Sequence, residues 1–203
     1  MISYDALMRQ GPPIVARIDL VGSHIVMRPN SEAFSAQLHV AAMESIGTVG
    51  FWMPWCHSER TMDESVTWLR SCQANWDSGT EYEFTVFASS GEYLGAAGLN
   101  QFNRVHNFAN LGYWVRESRQ RHGIAVEAAT LLADFAFRAL GLSRIEIVVA
   151  KDNIPSRRVA EKAGAEYEGI ARNRLLIRGN AIPAAVYSLV PDIGVSLDKR
   201  RCI

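Results

Sequence analysis

The stretch Asn110-Leu111-Gly112-Tyr113-Trp114-Val115-Arg116-Glu117-Ser118-Arg119-Gln120-Arg121-His122-Gly123-Ile124-Ala125-Val126 decides how this chain is read. Leu111 to Val115 is apolar and aromatic, as a strand against a core should be. Arg116 to His122 is polar and cationic. Gly123 has no Cβ, so its backbone can approach a ligand closely. From Ala125 the pattern turns helical. A strand, a basic turn and a helix N-terminus together make an anion site: the first amides of a helix have no partner inside it, and the dipole there favours negative charge. Arg116, Arg119 and Arg121 add positive charge. A phosphate or pyrophosphate is expected over residues 120–126. The stretch has neither the Walker spacing Gly-x-x-x-x-Gly-Lys-Ser/Thr nor the dinucleotide spacing Gly-x-Gly-x-x-Gly.

Outward from this stretch the pattern stays regular. From Ala125 to Leu140 the polar residues Glu127, Thr130, Asp134 and Arg138 fall three, four and four apart, a narrow stripe on a helix otherwise covered. Gly141 stops it. Ile145 to Ala150 reads as a buried strand, so a right-handed crossover should set it parallel to the strand at 109–115. Asn153 is placed to cap a helix with Pro155 in its first turn, ending at Lys162-Ala163-Gly164. Strands at 167–172 and 185–190 close the fold, joined through Gly179-Asn180 and Pro183.

Upstream, strands at 82–87, 93–99 and 109–115 form an antiparallel meander. Before them come a strand at 24–28, a helix capped by Asn30 or Ser31 and running to Met43, and the aromatic turn Phe51-Trp52-Met53-Pro54-Trp55. Thr61 and Glu64 form a capping box for a helix to Trp76. Residues 1–23, with Gly11-Pro12-Pro13, read as an N-terminal extension. Residues 24–190 read as one domain, and 191–203, with Asp198-Lys199-Arg200-Arg201, as a solvated tail.

Composition narrows the class. The 203 residues are 48% hydrophobic, with 21 basic and 21 acidic residues and zero formal net charge. No global field draws such a chain to nucleic acid or anionic lipid. No apolar run is long enough to span a membrane, and the first residues lack a signal-peptide pattern. Three cysteines, Cys56, Cys72 and Cys202, fit a reducing compartment and a cytoplasmic location. Cys56-His57 has no second pair at ligand spacing, so no metal site is expected.

The order of elements and two motifs resemble the GCN5-related N-acetyltransferases (GNAT), within them the branch that acetylates ribosomal-protein N-termini (RimJ/RimL-like). Gln120-Arg121-His122-Gly123-Ile124-Ala125 matches the family's Gln/Arg-x-x-Gly-x-Gly/Ala signature. Asn153-Ile154-Pro155-Ser156 with Ala160-Glu161-Lys162-Ala163-Gly164-Ala165 is similar to its Asn-x-x-Ser…Glu-Lys-x-Gly-Phe segment. Trp52-Met53-Pro54-Trp55 and the N-terminal helices look like the ribosomal branch. The resemblance implies an α+β (α/β) GNAT fold: a mixed, mostly antiparallel central sheet, helices on both faces, and a V-shaped splay between its fourth and fifth strands.

It also implies acetyl-CoA as donor, bound without metal, and an amine acceptor, either a protein N-terminus or a small molecule; a homodimer is compatible with it. Main-chain groups of Tyr113, Trp114 and Val115 would pair with the pantetheine. Gln120, Arg121, His122, Gly123, Ile124, Ala125 and Val126 would hold the pyrophosphate. Asn153 would bond the pantetheine arm, and Ser156 would protonate the departing thiolate. Three positions depart from the family pattern. Ala160 stands where relatives carry a tyrosine acid, Asn110 where a glutamate is common, and Leu175 where the ribosomal branch often has another.

The base is therefore open. Glu83, on a strand bordering the cleft, is the candidate for it; His122 lies beside the phosphates and His106 in a nearby loop. A protein α-amine, with a pKa of about 7.7–8, needs less help than a lysine-like amine at about 10.4. Trp52 and Trp55, with Trp68, either stack on the acceptor or belong to the core. The readings that follow are a competent N-acetyltransferase for an N-terminus or small amine, and a non-catalytic acyl-CoA-binding module.

Overall fold

The computed structural model describes residues 15–191; Gly11-Pro12-Pro13, Cys202 and the basic tail lie outside them. In chain order the elements are β1 (Leu20–Val21), β2 (Ile25–Pro29), a 3-10 turn (Glu32–Phe34), α1 (Ser35–Glu44), α2 (Val49–Trp52), α3 (Met62–Ser78), β3 (Tyr82–Ala88), β4 (Tyr93–Asn103) and β5 (Phe108–Val115). A second 3-10 turn (Glu117–Arg119), α4 (Ile124–Arg138), β6 (Arg144–Ala150), α5 (Ile154–Lys162), β7 (Glu166–Ile177) and β8 (Asn180–Leu189) follow.

Helix ends sit where the sequence supplies partners for their free backbone groups. Thr61 Oγ1 accepts from Glu64 N–H at 3.2 Å, and Glu64 Oε2 accepts from Thr61 N–H at 2.6 Å, which closes the capping box of α3. Gly79 ends that helix at φ 63°. Asn153 Oδ1 accepts from Ser156 N–H at 3.2 Å and starts α5. Helix α4 buries Ala128, Ala129, Leu132, Ala133, Phe135 and Ala136 and leaves Thr130, Asp134 and Arg138 in water, as its stripe demands.

The eight strands lie in the order β1-β2-β3-β4-β5-β6-β8-β7. Every neighbouring pair is antiparallel except β5 and β6. Those two pair only through Phe108 with Arg144, Ala109 with Ile145, and Asn110 with Glu146. Beyond that point β5 keeps its partners on β4 as far as Val115, and β6 keeps its partners on β8 as far as Ala150. The fourth and fifth strands of the expected set are thus the splayed pair. The larger core packs α4 on the sheet through Leu132, Phe135 and Ala136 against Phe84, Leu99 and Leu111. A second core sets Leu38, Ala41 and Val49 against Phe87, Tyr93, Ala96 and Trp114 on the other face.

Three features differ from the sequence reading. The sheet begins within the stretch expected to be peripheral, because Leu20 and Val21 pair with Met27 and Val26. The aromatic turn opens with the helical turn α2. The closing strands run on to a tight hairpin. Arg178 and Gly179 take φ 48° and 77°, the two positive values that a type I′ turn needs. Pro183 is tolerated in β8 because the ladder shifts register between Ala171 and Leu175 opposite it.

Two ion pairs brace the sheet on either side of the splay. Arg116, just after β5, binds Glu44; Arg144, at the start of β6, binds Glu168 at 2.6 Å. The hydrogen-bonded guanidinium holds each carboxyl at about 2. A depressed folded-state pKa stabilises the fold above the ordinary carboxylate value, and that contribution fades as pH falls towards about 2. The urea midpoint should therefore drop as pH is lowered from about 4.5 towards 2. The Glu44→Gln/Glu168→Gln double variant should start lower at neutral pH and fall less steeply, as followed by circular dichroism.

Candidate functional site

Beyond Asn110 the facing edges of β5 and β6 are unpaired, so alternate main-chain N–H and C=O groups of residues 111–115 open into the gap. At its end the chain turns through Gln120–Gly123, with Arg121 at φ 68° and Gly123 at φ 80°. Gly123 caps α4 without a side chain, and the first helical bond there is Glu127 N–H to Gly123 C=O at 3.0 Å. The amides of Ile124, Ala125 and Val126 are left without helical acceptors and point out of the helix tip.

The turn is held by its neighbours. Gln120 Nε2 donates to Val115 C=O and to Thr48 Oγ1, both at 3.1 Å. The His122 ring folds back, with Nδ1 2.8 Å from Gln120 C=O. The expected excess of positive charge is smaller than three arginines suggest. Arg116 is paired with Glu44 and lies 3.7 Å from Glu92, and Arg119 binds Glu92 at 2.9 Å. Arg121 is exposed and has no ion pair among the described residues. The free cation at the helix tip is Arg121, supported by the amides.

Strand alternation separates two sets of side chains. Ala109, Leu111 and Tyr113 face α4 and α5. The Tyr113 hydroxyl spans to α5, donating to Ser156 C=O at 2.9 Å and lying 3.1 Å from Ser156 Oγ. Burial pushes its pKa up to about 12. Asn153 uses Oδ1 on the helix cap, and its amide NH2 has no partner among the described residues.

Gly112 and Trp114 face the other way, into a cavity of about 270 Å³ between the sheet and α1 and α3. Leu38, Met53, Trp55 and Trp68 wall it. Glu83 and Asn100 are its polar lining on the sheet, and Arg60 enters from the loop before α3. Asn110 Nδ2 donates to Asn100 Oδ1 at 2.9 Å, and Asn100 Nδ2 donates to Glu83 Oε1 at 3.4 Å, linking three strands. Burial raises Glu83 to about 7, with repulsion from Glu81 adding to it and the Asn100 bond opposing it. The carboxyl sits against Gly98, where any Cβ would collide with it.

The structure therefore gathers Tyr113, Trp114, Val115, Asn153 and Ser156 around the gap and residues 120–126 at its end. Glu83 and Trp55 line the adjoining cavity, with Trp68. Trp52 stays outside that lining, edge-on to Phe51 at 4.7 Å. His106 is exposed on its turn. Sequence reasoning missed Arg60, Asn100 and the Tyr113 hydroxyl. Strand alternation around Glu83 and Gly98 was the one signal for Asn100. Nothing local marks the other two. Among the described residues no cluster of side chains is arranged to hold a metal ion, and no helix is long and apolar enough to cross a membrane.

The profile of the acetyltransferase (GNAT) domain matches residues 24–166. The chain is 39% identical over 109 residues to the probable N-acetyltransferase YjcK of Bacillus subtilis, covering 53% of this chain and 60% of that protein. It spans little more than half the length of the curated relatives it matches at highest identity. The ribosomal-protein-serine acetyltransferase of Escherichia coli is 25% identical over 171 residues, 78% of this chain and 94% of that protein. The solved RimL ribosomal L7/L12 α-N-protein acetyltransferase in complex with coenzyme A has the same fold, with TM-score 0.78 at 20% identity, covering 85% of this chain and 98% of that one.

The site makes a direct claim about one proton. In a pH series of carboxylate infrared difference spectra, Glu83 should titrate with a midpoint near 7. Asn100→Ala removes the hydrogen bond that favours the charged form, so the midpoint should move higher. A Glu83 midpoint near an ordinary carboxylate value contradicts the desolvation argued for this half-buried carboxyl.

Proposed function

From the premise that the chain belongs to the GNAT acetyltransferase family, we propose that residues 24–190 form an acetyl-CoA-dependent N-acetyltransferase acting on a primary amine, best fitted to a protein N-terminal α-amine. One observation carries this reading. An unzipped strand pair that ends at a free helix tip adjoins a cavity holding a carboxylate of near-neutral pKa.

In this reading the main-chain groups of Tyr113–Val115 that turn away from β4, other than the Val115 C=O held by Gln120, bind the pantetheine as a strand would. The amides of residues 121–126, with Arg121, take the diphosphate. The Asn153 NH2 group bonds the pantetheine amide. Glu83 receives the proton of the α-ammonium, whose pKa of about 7.7–8 lies close enough for transfer to be mild. The amine then attacks the thioester carbonyl, the C–S bond breaks as the sulfur takes the Ser156 hydroxyl proton, and the tetrahedral nitrogen releases its second proton, which returns to the Ser156 oxygen through water. Tyr113, with its hydroxyl 3.1 Å from the same oxygen, holds Ser156 in place. Ala160 is fully buried where relatives place a tyrosine, so the acid role passes to this Ser–Tyr pair. The ribosomal-protein-serine acetyltransferase among the relatives supports the N-terminal acceptor. Cys56 and Cys72 are buried free thiols, which agrees with a cytoplasmic setting.

Following free thiol released from acetyl-CoA across a panel of N-terminal peptides and small amines tests the proposal. Turnover of at least one amine is expected; coenzyme A binding with no turnover of any would favour the binding-module reading. Glu83→Gln should lower kcat/KM by about 10²–10⁴ and erase the rising limb of the pH profile near 7. By titration calorimetry Arg121→Ala should weaken coenzyme A roughly tenfold, as loss of one charge-assisted bond does. Arg119→Ala should have a much smaller effect, because that cation is already paired.

A further inference from the structure

Arg60 is placed unlike any other cation of the cavity region. Its guanidinium lies over the Trp55 ring, 5.2 Å from the centroid, and Nη1 donates to Trp55 C=O at 3.3 Å. Its Nε–H is buried and has no partner among the described residues. No carboxylate pairs with it among the described residues. Glu64, the acid that most affects it, already accepts from the Thr61 N–H and hydroxyl. Glu83 lines the same cavity but lies outside ion-pair distance. The cavity thus holds a carboxylate on the sheet and an unpaired cationic donor on its opposite element, with apolar walls of Leu38, Met53, Trp55 and Trp68 between.

The Nε–H is closed off, so the groups open to a ligand oxygen are the guanidinium NH2 groups, of which Nη2 has no hydrogen bond among the described residues. An amine at Glu83 and an oxygen at Arg60 belong together on a molecule whose amino-bearing carbon also carries a carbonyl. A polyamine would instead bring a second positive charge towards a guanidinium that is already desolvated. Resting on the transferase reading above, we propose that Arg60 donates to the first carbonyl oxygen of the acceptor, so that the cavity selects α-aminoacyl groups with an apolar first side chain over bare alkylamines and polyamines.

Phenylalaninamide and 2-phenylethylamine share ring and chain and differ in that carbonyl group. The readout is the ratio of their kcat/KM values, in the wild-type chain and in Arg60→Met. The two amines differ in basicity, but that difference is the same for both enzymes and cancels. The ratio is also independent of the folded fraction, so a poorly folding variant still reports. It should fall roughly tenfold to a hundredfold in Arg60→Met, the range for one lost bond to a charged donor. Arg60→Lys, which keeps charge without the planar fork, should retain part of it. A ratio unchanged while both rates drop in proportion would make Arg60 a packing residue and overturn the inference alone. Thiol release with neither amine, although coenzyme A binds, overturns the transferase reading and this inference with it.

Discussion

The structure turns on two parallel strands that part after three residue pairs. β5 and β6 are each paired along their outer edges, to β4 and to β8, so neither is free to swing across and close the gap. Tyr113 reinforces the separation by reaching over to the first turn of α5. Main-chain polar groups at such an inner edge need a partner. They find it in water or in an extended ligand that behaves as a strand. The helix tip at the end of the same gap offers unpaired amides to whatever negative group the ligand carries. A main-chain recognition surface of this kind makes few demands on side chains, which is why the residues along β5 can be chosen for other work.

That other work follows from the period of a strand. Successive side chains of β5 point to opposite faces, so Tyr113 serves the α5 side while Gly112 and Trp114 shape the cavity on the other. Gly98 leaves room for the Glu83 carboxyl, and Asn110 orients Asn100 beneath it. Asn110 is therefore connected to a carboxylate through Asn100. That carboxylate, Glu83, lies two strands across the sheet, and an amide pair spans the distance.

Local chemistry was legible in the sequence. The Thr61–Glu64 box, the Asn153 cap, the stripe of α4 and the crossover from β5 to β6 each depend on residues within one or two elements. What escaped notice depends on partners far along the chain. Arg116 and Arg119 read as charges for an anion, yet Glu44 and Glu92, 72 and 27 residues earlier, neutralise them. Arg60 carried no sequence signal, because its isolation from carboxylates is a property of the folded cavity. The closing strands looked short because Pro183 and Gly179 suggested breaks; a bulge and a type I′ turn accommodate both. Trp52 and Trp55 are close in sequence, yet the helical turn α2 ends between them and only Trp55 reaches the cavity.

The elbow between α1 and α2 joins the two halves of the site. Ser45 is buried, donates to Ala41 C=O at 2.6 Å, and accepts from Glu117 N–H at 3.0 Å. Glu44 accepts from Ser118 N–H at 2.8 Å and from Arg116, while Thr48 bonds both Glu117 and Gln120. Helix α1 also supplies Leu38 to the cavity wall. The turn that presents the helix tip and the wall that shapes the cavity are consequently one hydrogen-bonded body. Reaction between two bound molecules is fast only when their relative placement is set beforehand, since misplacement by an ångström costs orders of magnitude. A rigid link from the cavity wall to the helix-tip turn would supply that placement for the ligands proposed above. It also accounts for the paired charge of the turn: Arg116 and Arg119 hold the frame, and the helix-tip amides and Arg121 stay unpaired among the described residues.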